Sequence, residues 1–254
     1  MRINKLLSNY GICSRKDTVK LIEDKRLVIN GELCKQGQWV EENDIILLDD
    51  IIIKKEESIY IAFYKPRGIE CTRSKKSKEN IIDLINYKKY IFPIGRLDKD
   101  SEGLILLTND GEFANFILEG NNEKEYVVTL DRPYEDDFLI KMREGVIIHN
   151  KESTGFKRIG DKKYIKEADG ETVFAEEVYK SKQKGFVKTK ECKVERISTD
   201  TFKIILMQGM NRQIRKMCKT LGFEVIKLKR VRIASVELEE LKVGSFRKLN
   251  RESI

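Results

Sequence analysis

Histidine is almost absent. The 254 residues hold one, His149, so a His-centred metal cluster is excluded and any Ser-His or Cys-His nucleophile would depend on that side chain. Its Gly- and Lys-rich surroundings speak against such a role. Cysteine is present but scattered: Cys13, Cys34, Cys71, Cys192 and Cys218 include no C-x-x-C pair. That spacing suggests neither a zinc site nor a disulfide framework, and reduced packing residues are expected. Also missing is any apolar run near the ~18 residues of a membrane helix, and the opening MRINKLLSNYG is too polar and short for a signal peptide. A cytoplasmic protein with no membrane span and no His- or Cys-based metal site is the expectation.

Charge is plentiful. Lys and Arg number 50 against 42 Asp and Glu, a net charge of +8, with a pI near 9.1. The excess points toward a polyanionic partner. It is uneven along the chain. Residues 1–40 carry eight Lys or Arg and four Asp or Glu, while Phe202 to Arg232 carries nine Lys or Arg against Glu224 alone.

At its start the chain reads as a small unit. Ile3, Leu6, Leu7 and Tyr10 have helical spacing closed by Gly11, and Ser14 with Asp17 forms a capping-box start for a second helix bearing Arg15 and Lys16. Asn30-Gly31 between apolar residues predicts a hairpin, and Ile45 to Leu48 would close a small sheet. Residues 49–59 read as the linker and the end of the small sheet. Ile59 to Phe63 predicts a strand, Lys65-Pro66-Arg67-Gly68 a turn with two cations, and Asn80 to Asn86 a short helix.

The stretch FPIGRLDKDSEGLILLTNDG, Phe92 to Gly111, sets a charged loop against four apolar residues, Leu104 to Leu107, that read as a buried strand. A loop fixed by such a scaffold is a place for chemistry. Asp98, Asp100 and Glu102 before Gly103 suggest a calcium loop. The twelfth position, which needs a bidentate Glu, is Asn109, so that reading fails.

Beyond it, an Asn109-x-x-Glu112 start predicts a helix through Phe113, Phe116 and Ile117. Val127 to Leu130 predicts a strand with Tyr126 at its entrance, and Glu135 to Arg143 a helix closed by Gly145. A polar insertion covers about 149–187, with Phe174 to Tyr179 as a strand inside it. Phe202 to Met207 alternates as a strand. Ile214, Met217, Cys218 and Leu221 then fall at i, i+3, i+4 and i+7 with Gly222 as C-terminal cap. Arg212, Lys216 and Lys219 lie on the opposite face of that helix and Arg215 at its border. The next strand, Val225 to Ile233, carries the charge onward through Lys227, Lys229, Arg230 and Arg232.

Gly95-Arg96-Leu97-Asp98 with Ser101-Glu102-Gly103-Leu104 resembles the catalytic loop of the small-ribosomal-subunit-type (RsuA-like) RNA pseudouridine synthases. The K-P-x-G corner at Lys65, K-E-Y at Lys124, N-R-Q-I-R at Asn211 and K-L-x-R at Lys227 extend the likeness along nearly the whole chain, and the SRKD and V-x-NGE wording is similar to the S4 RNA-binding module. The resemblance implies an α+β architecture: an S4-like domain over 1–57, then a catalytic domain over 58–254 on a mixed, largely antiparallel sheet with flanking helices.

It also implies roles. Asp98 is the catalytic carboxylate, kept ionised by Arg215 at roughly 4 to 6 Å. Tyr126 stacks on the base, Arg96 fills the space left by the flipped nucleotide, and Leu228 packs on the uracil. Arg15, Lys16, Arg212, Lys216, Lys219 and Arg230 are the expected RNA contacts. The Lys99-Asp100-Ser101 continuation and E-K-E-Y wording look closest to the F-type members. A cofactor-free monomer acting on 23S ribosomal RNA is expected, with transfer RNA as a further substrate. The alternative is a non-catalytic S4-domain RNA-binding or ribosome-assembly factor; a glycoside hydrolase would want two facing carboxylates on separate elements.

Overall fold

The computed structural model describes residues 1–41, 43–73, 77–149 and 185–254. They form two compact units, one of Met1–Asn122 with Ala234–Ile254 and one of Glu123–Ile233. Phe174 to Tyr179, read as a strand, lies outside the described residues, as does most of the 149–187 insertion.

The first unit opens with helices α1 (Ile3–Asn9) and α2 (Arg15–Glu23). Ser14 and Asp17 do form a reciprocal capping box, the Asp17 N–H donating to Ser14 Oγ at 3.1 Å and the Ser14 N–H to Asp17 Oδ2 at 3.3 Å. Strands β1 (Leu27–Ile29) and β2 (Glu32–Leu33) make the hairpin. Its turn residues Asn30 and Gly31 both take positive φ, 51° and 85°, the geometry a type I′ turn needs. Strands β3 (Ile46–Leu48) and β4 (Ile51–Ile52) complete a sheet in the order β2-β1-β3-β4. Ile3, Leu6, Leu7, Leu27, Ile29, Val40 and Ile46 bury a common core beneath it.

The same unit continues with β5 (Tyr60–Lys65), α3 (Ile81–Ile85), β6 (Phe92–Pro93), β7 (Glu102–Thr108) and α4 (Gly111–Glu119). Both β5 and β6 pair antiparallel with β7. Leu104 to Leu107 are all at most 1% exposed, so β7 is covered on both faces, as a continuous apolar run requires. Ile61, Phe63, Ile105 and Leu107 pack with Ile81 and Ile85 of α3.

One predicted cap is corrected. Asp110, not Asn109, caps α4, its Oδ1 accepting the Glu112 and Phe113 N–H groups at 3.0 Å. Asn109 instead accepts the Ile59 N–H at 2.8 Å and donates to Glu57 O at 2.9 Å. It ties the chain after the S4-like module to the end of β7. Gly11 allows this closeness: a Cβ there would stand 2.7 Å from Asn109 Nδ2, at φ +73°.

The second unit contains β8 (Lys124–Leu130), α5 (Asp136–Glu144), β9 (Ile147–His149), β10 (Phe186–Lys188), β11 (Lys193–Arg196), β12 (Thr201–Leu206), α6 (Gln213–Thr220) and β13 (Val225–Ile233). Its strands run in the order β11-β12-β8-β13, each pair antiparallel. Phe138 and Met142 of α5 and Ile214, Met217 and Cys218 of α6 pack on the face formed by Val128, Phe202, Ile204 and Leu228.

The chain then returns to the first unit with β14 (Val236–Glu237) and β15 (Phe246–Lys248), the latter pairing with β5. All five cysteines are free. Burial pushes the Cys192 thiol up to about 11 and Cys218 to about 12, so both stay protonated and unreactive. Among the described residues no helix is long and apolar enough to cross a membrane.

Candidate active site

Asp98 stands in the loop between β6 and β7, and that loop is fixed by its backbone. Leu97 is 6% exposed and anchors the loop in the core. Cys71 Sγ lies 3.3 Å from both Leu97 N and Leu97 O, accepting from one and donating to the other. The Asp98 carbonyl accepts the N–H of Ser101, itself fully buried, at 3.1 Å. Lys99 O accepts the Gly68 N–H at 2.7 Å. The Lys99 ammonium reaches Glu79 at 2.8 Å and Glu70 at 3.7 Å. Asp98 is half-buried and Arg96 exposed. Neighbours on both sides therefore hold Asp98 in place at the surface of the first unit.

Glu102, at the end of the loop, differs from Asp98. Glu102 is directed at Tyr64: burial, then the charge of Glu102 and a hydrogen bond to it, push the Tyr64 hydroxyl above the ordinary phenol range. Among the described residues no group of acidic, Cys or His side chains is arranged to hold a metal ion.

Lys65 departs from its sequence reading. It was expected as a turn cation, yet it is 0% exposed, with Nζ donating to Pro66 O at 2.9 Å and to Ile69 O at 2.8 Å. The ammonium closes the corner from inside. Sequence alone gave one hint, the Pro and Gly that bend the chain back over its end.

In the second unit the K-E-Y and K-L-x-R motifs are neighbours. Tyr126 sits inside β8 rather than at its entrance, facing Arg230 and Ile204 across the ladder, and Leu228 faces Val128. Tyr126 is half-buried against the core and Leu228 is 5% exposed within it. Arg230 was expected among the surface phosphate contacts. Its register instead buries it to 3% exposure, with its guanidinium carbon 6.0 Å from the Tyr126 ring centroid. An arginine there stands at the outer limit of a cation–π contact with the ring.

Sequence reading missed Lys124. It lies two residues before Tyr126 and so on the same strand face, and burial, then the charge of Arg230, lower its pKa. Period-two counting back from Tyr126 was the available signal. A bulge between Arg230 and Arg232 sends Arg232 to Glu123 at 2.8 Å and Glu125 at 3.1 Å.

Arg215 is half-buried on α6, as its border position required, and Nη1 donates to Val225 O at 2.9 Å. Arg212, in the left-handed region at φ 51°, and Lys219 are exposed, and Lys216 is half-buried. Arg15 and Lys16 are exposed at the first turn of α2.

Comparison with known proteins agrees with these motifs. A family model described as RNA pseudouridylate synthase matches residues 59–220, and one for the S4 domain matches residues 1–46. The chain is 38% identical over its full length to the dual-specificity RNA pseudouridine synthase RluF of Escherichia coli strain K12, covering 77% of that protein. It is 31% identical to ribosomal large subunit pseudouridine synthase B of Bacillus subtilis, covering 93% of it. A crystal structure of pseudouridylate synthase matches with a TM-score of 0.60 at 26% identity, over 99% of this chain and 97% of the other.

Proposed function

Because the chain belongs to the RNA pseudouridylate synthase family, in the branch with an N-terminal S4 domain, we propose that Asp98 is the carboxylate with which it isomerises a uridine of 23S ribosomal RNA. The match across residues 59–220 sets aside the competing expectation of a non-catalytic RNA-binding factor. The large-subunit relative of B. subtilis supports ribosomal RNA as the substrate. The dual specificity of RluF supports a second RNA class, read here as transfer RNA. The enzyme acts as a monomer in the cytoplasm.

The reaction breaks the bond from sugar C1′ to N1 of uracil, turns the base, and joins C1′ to C5. C5 loses a proton and N1 gains one, so neither oxidant nor group donor is needed. A single carboxylate can serve, as nucleophile toward the sugar or base or as base toward the sugar C2′ proton. Extruding the nucleotide costs a few kcal/mol. Tyr126, Arg96 and Leu228 are assigned to offset that cost, and Arg215 to bind the substrate.

The observation that carries the reading is the half-buried Asp98 on a fixed backbone, pinned through Leu97, Lys99 and Ser101. Asp98→Asn keeps the shape and removes the charge. Carbodiimide mapping of in vitro transcribed 23S RNA should then show no pseudouridine, while filter binding shows unchanged affinity. Turnover near the wild-type rate would remove Asp98 from the mechanism.

A further inference from the structure

Trp39 is the single tryptophan of the chain, and it is 70% exposed. It is held on a stiff frame. The residue forms an antiparallel bridge with Arg2. On one side the Ile3 N–H donates to Gln38 O at 2.9 Å, and on the other the Val40 N–H donates to Met1 O at 2.8 Å. The turn before it is closed by the Lys35 N–H on Gln38 Oε1 at 2.8 Å and the Gln38 N–H on Lys35 O at 3.2 Å. Val40, 2% exposed, points into the module core, and alternation along extended chain turns the preceding indole outward. The fold thus orders a large flat ring and leaves it in water.

Two cations belong to the same frame. Arg2 is the cross-strand partner and Lys35 begins the turn; both are exposed, and neither forms an ion pair among the described residues. The surrounding segment, residues 1–40, carries twice as many basic as acidic side chains. A flat π-face beside cations not spent on protein partners is what an unpaired base with its flanking phosphates requires. A protein partner would be served by the apolar ring alone. We propose that Trp39 is a stacking platform for an unpaired nucleobase of the RNA substrate, with Arg2 and Lys35 neutralising the phosphates on either side. This deepens the reading of the chain as an enzyme of RNA and rests on it.

The lone tryptophan makes the test direct, because indole emission reports this position only. The full-length protein is titrated with a fluorescein-labelled RNA stem–loop and with a blunt RNA duplex of the same length, following both anisotropy and indole emission. As the stem–loop saturates, emission should be quenched and acrylamide should lose access to the ring. Trp39→Ala should weaken stem–loop binding by about 5- to 150-fold, Trp39→Phe by less, and duplex binding should not change. An unchanged melting midpoint shows that the variants fold. Stem–loop saturation with unaltered emission, or Trp39→Ala binding as wild type, would overturn the proposal. Absence of pseudouridine in the wild-type reaction would instead strike the preceding reading and leave this one standing.

Discussion

Positive charges beside the Asp98 loop and on the polar face of α6 are treated differently. Near the Asp98 loop, three cations, Lys65, Lys99 and Arg73, are engaged by the protein itself. Lys65 is buried on two carbonyls, Lys99 is tied to Glu79 and Glu70, and Arg73 donates to Ile91 O at 2.9 Å while lying over the Tyr90 ring at 4.1 Å. In the second unit, the fold is held by an apolar face, and Arg212, Lys219 and Lys227 are left exposed. Charge is structure in one place and surface in the other. For the proposed reaction at Asp98, cations held in place beside the loop keep the local field constant. A polyanion needs the second arrangement, because binding energy comes from releasing counterions when phosphates meet exposed cations.

The largest effect should come from removing a cation of the first kind. Lys65→Met keeps the volume but strands the Pro66 and Ile69 carbonyls, each costing about 1–3 kcal/mol when left without a donor. Urea unfolding should show a clearly lowered midpoint. Turnover should fall with it, because the same corner supplies the Gly68 N–H to Lys99 O. A variant as stable as wild type would mean that the buried ammonium holds nothing.

Cations of the second kind should behave otherwise. Lys219→Gln removes one charge from the polar side of α6, where the exposed side chain is no part of the core. The midpoint of unfolding should not move. RNA affinity should drop uniformly across sequences, and the slope of log affinity against log salt should fall by about one per lost contact. If instead stability fell and the salt slope held, α6 would belong with the first unit's pattern and the contrast would collapse.

Much of this was legible in the sequence, for a physical reason. Hairpin, capping box and the α6 stripe rest on signals contained within a few residues, such as Asn30-Gly31, Ser14 with Asp17, and Ile214, Met217 and Cys218. What was not legible depends on partners far along the chain. Asn109 was read as the cap of α4 because its spacing to Glu112 is right. Glu57 and Ile59, about fifty residues earlier, claim it, and Asp110 takes the cap. Arg230 was read as a phosphate contact from local charge density, yet its ladder position opposite Tyr126 buries it. A strand's alternation says which residues share a face; which face is covered is decided by the helix that packs there.

The smallest effect tests the contrast at its finest point, the Lys99 side chain. The hydrogen bond from Lys99, followed by its charge, holds the Glu79 carboxyl below the ordinary glutamate range. A depressed carboxylate contributes to stability above its unfolded pKa, and the contribution is lost as pH falls through the folded value. Both partners are exposed, so the pair is screened and adds little to global stability. Its use is local, since Lys99 follows Asp98 directly. Lys99→Met should leave the melting midpoint and KM in place and lower kcat a few-fold at neutral pH, with Lys99→Arg restoring it. In the wild type, kcat should decline toward the same reduced level as acid protonates Glu79, whereas the Met variant should lack that part of the acid limb. Matching acid limbs in the two proteins would show that backbone bonds alone fix Asp98, and that Lys99 is a surface cation like those of the second unit.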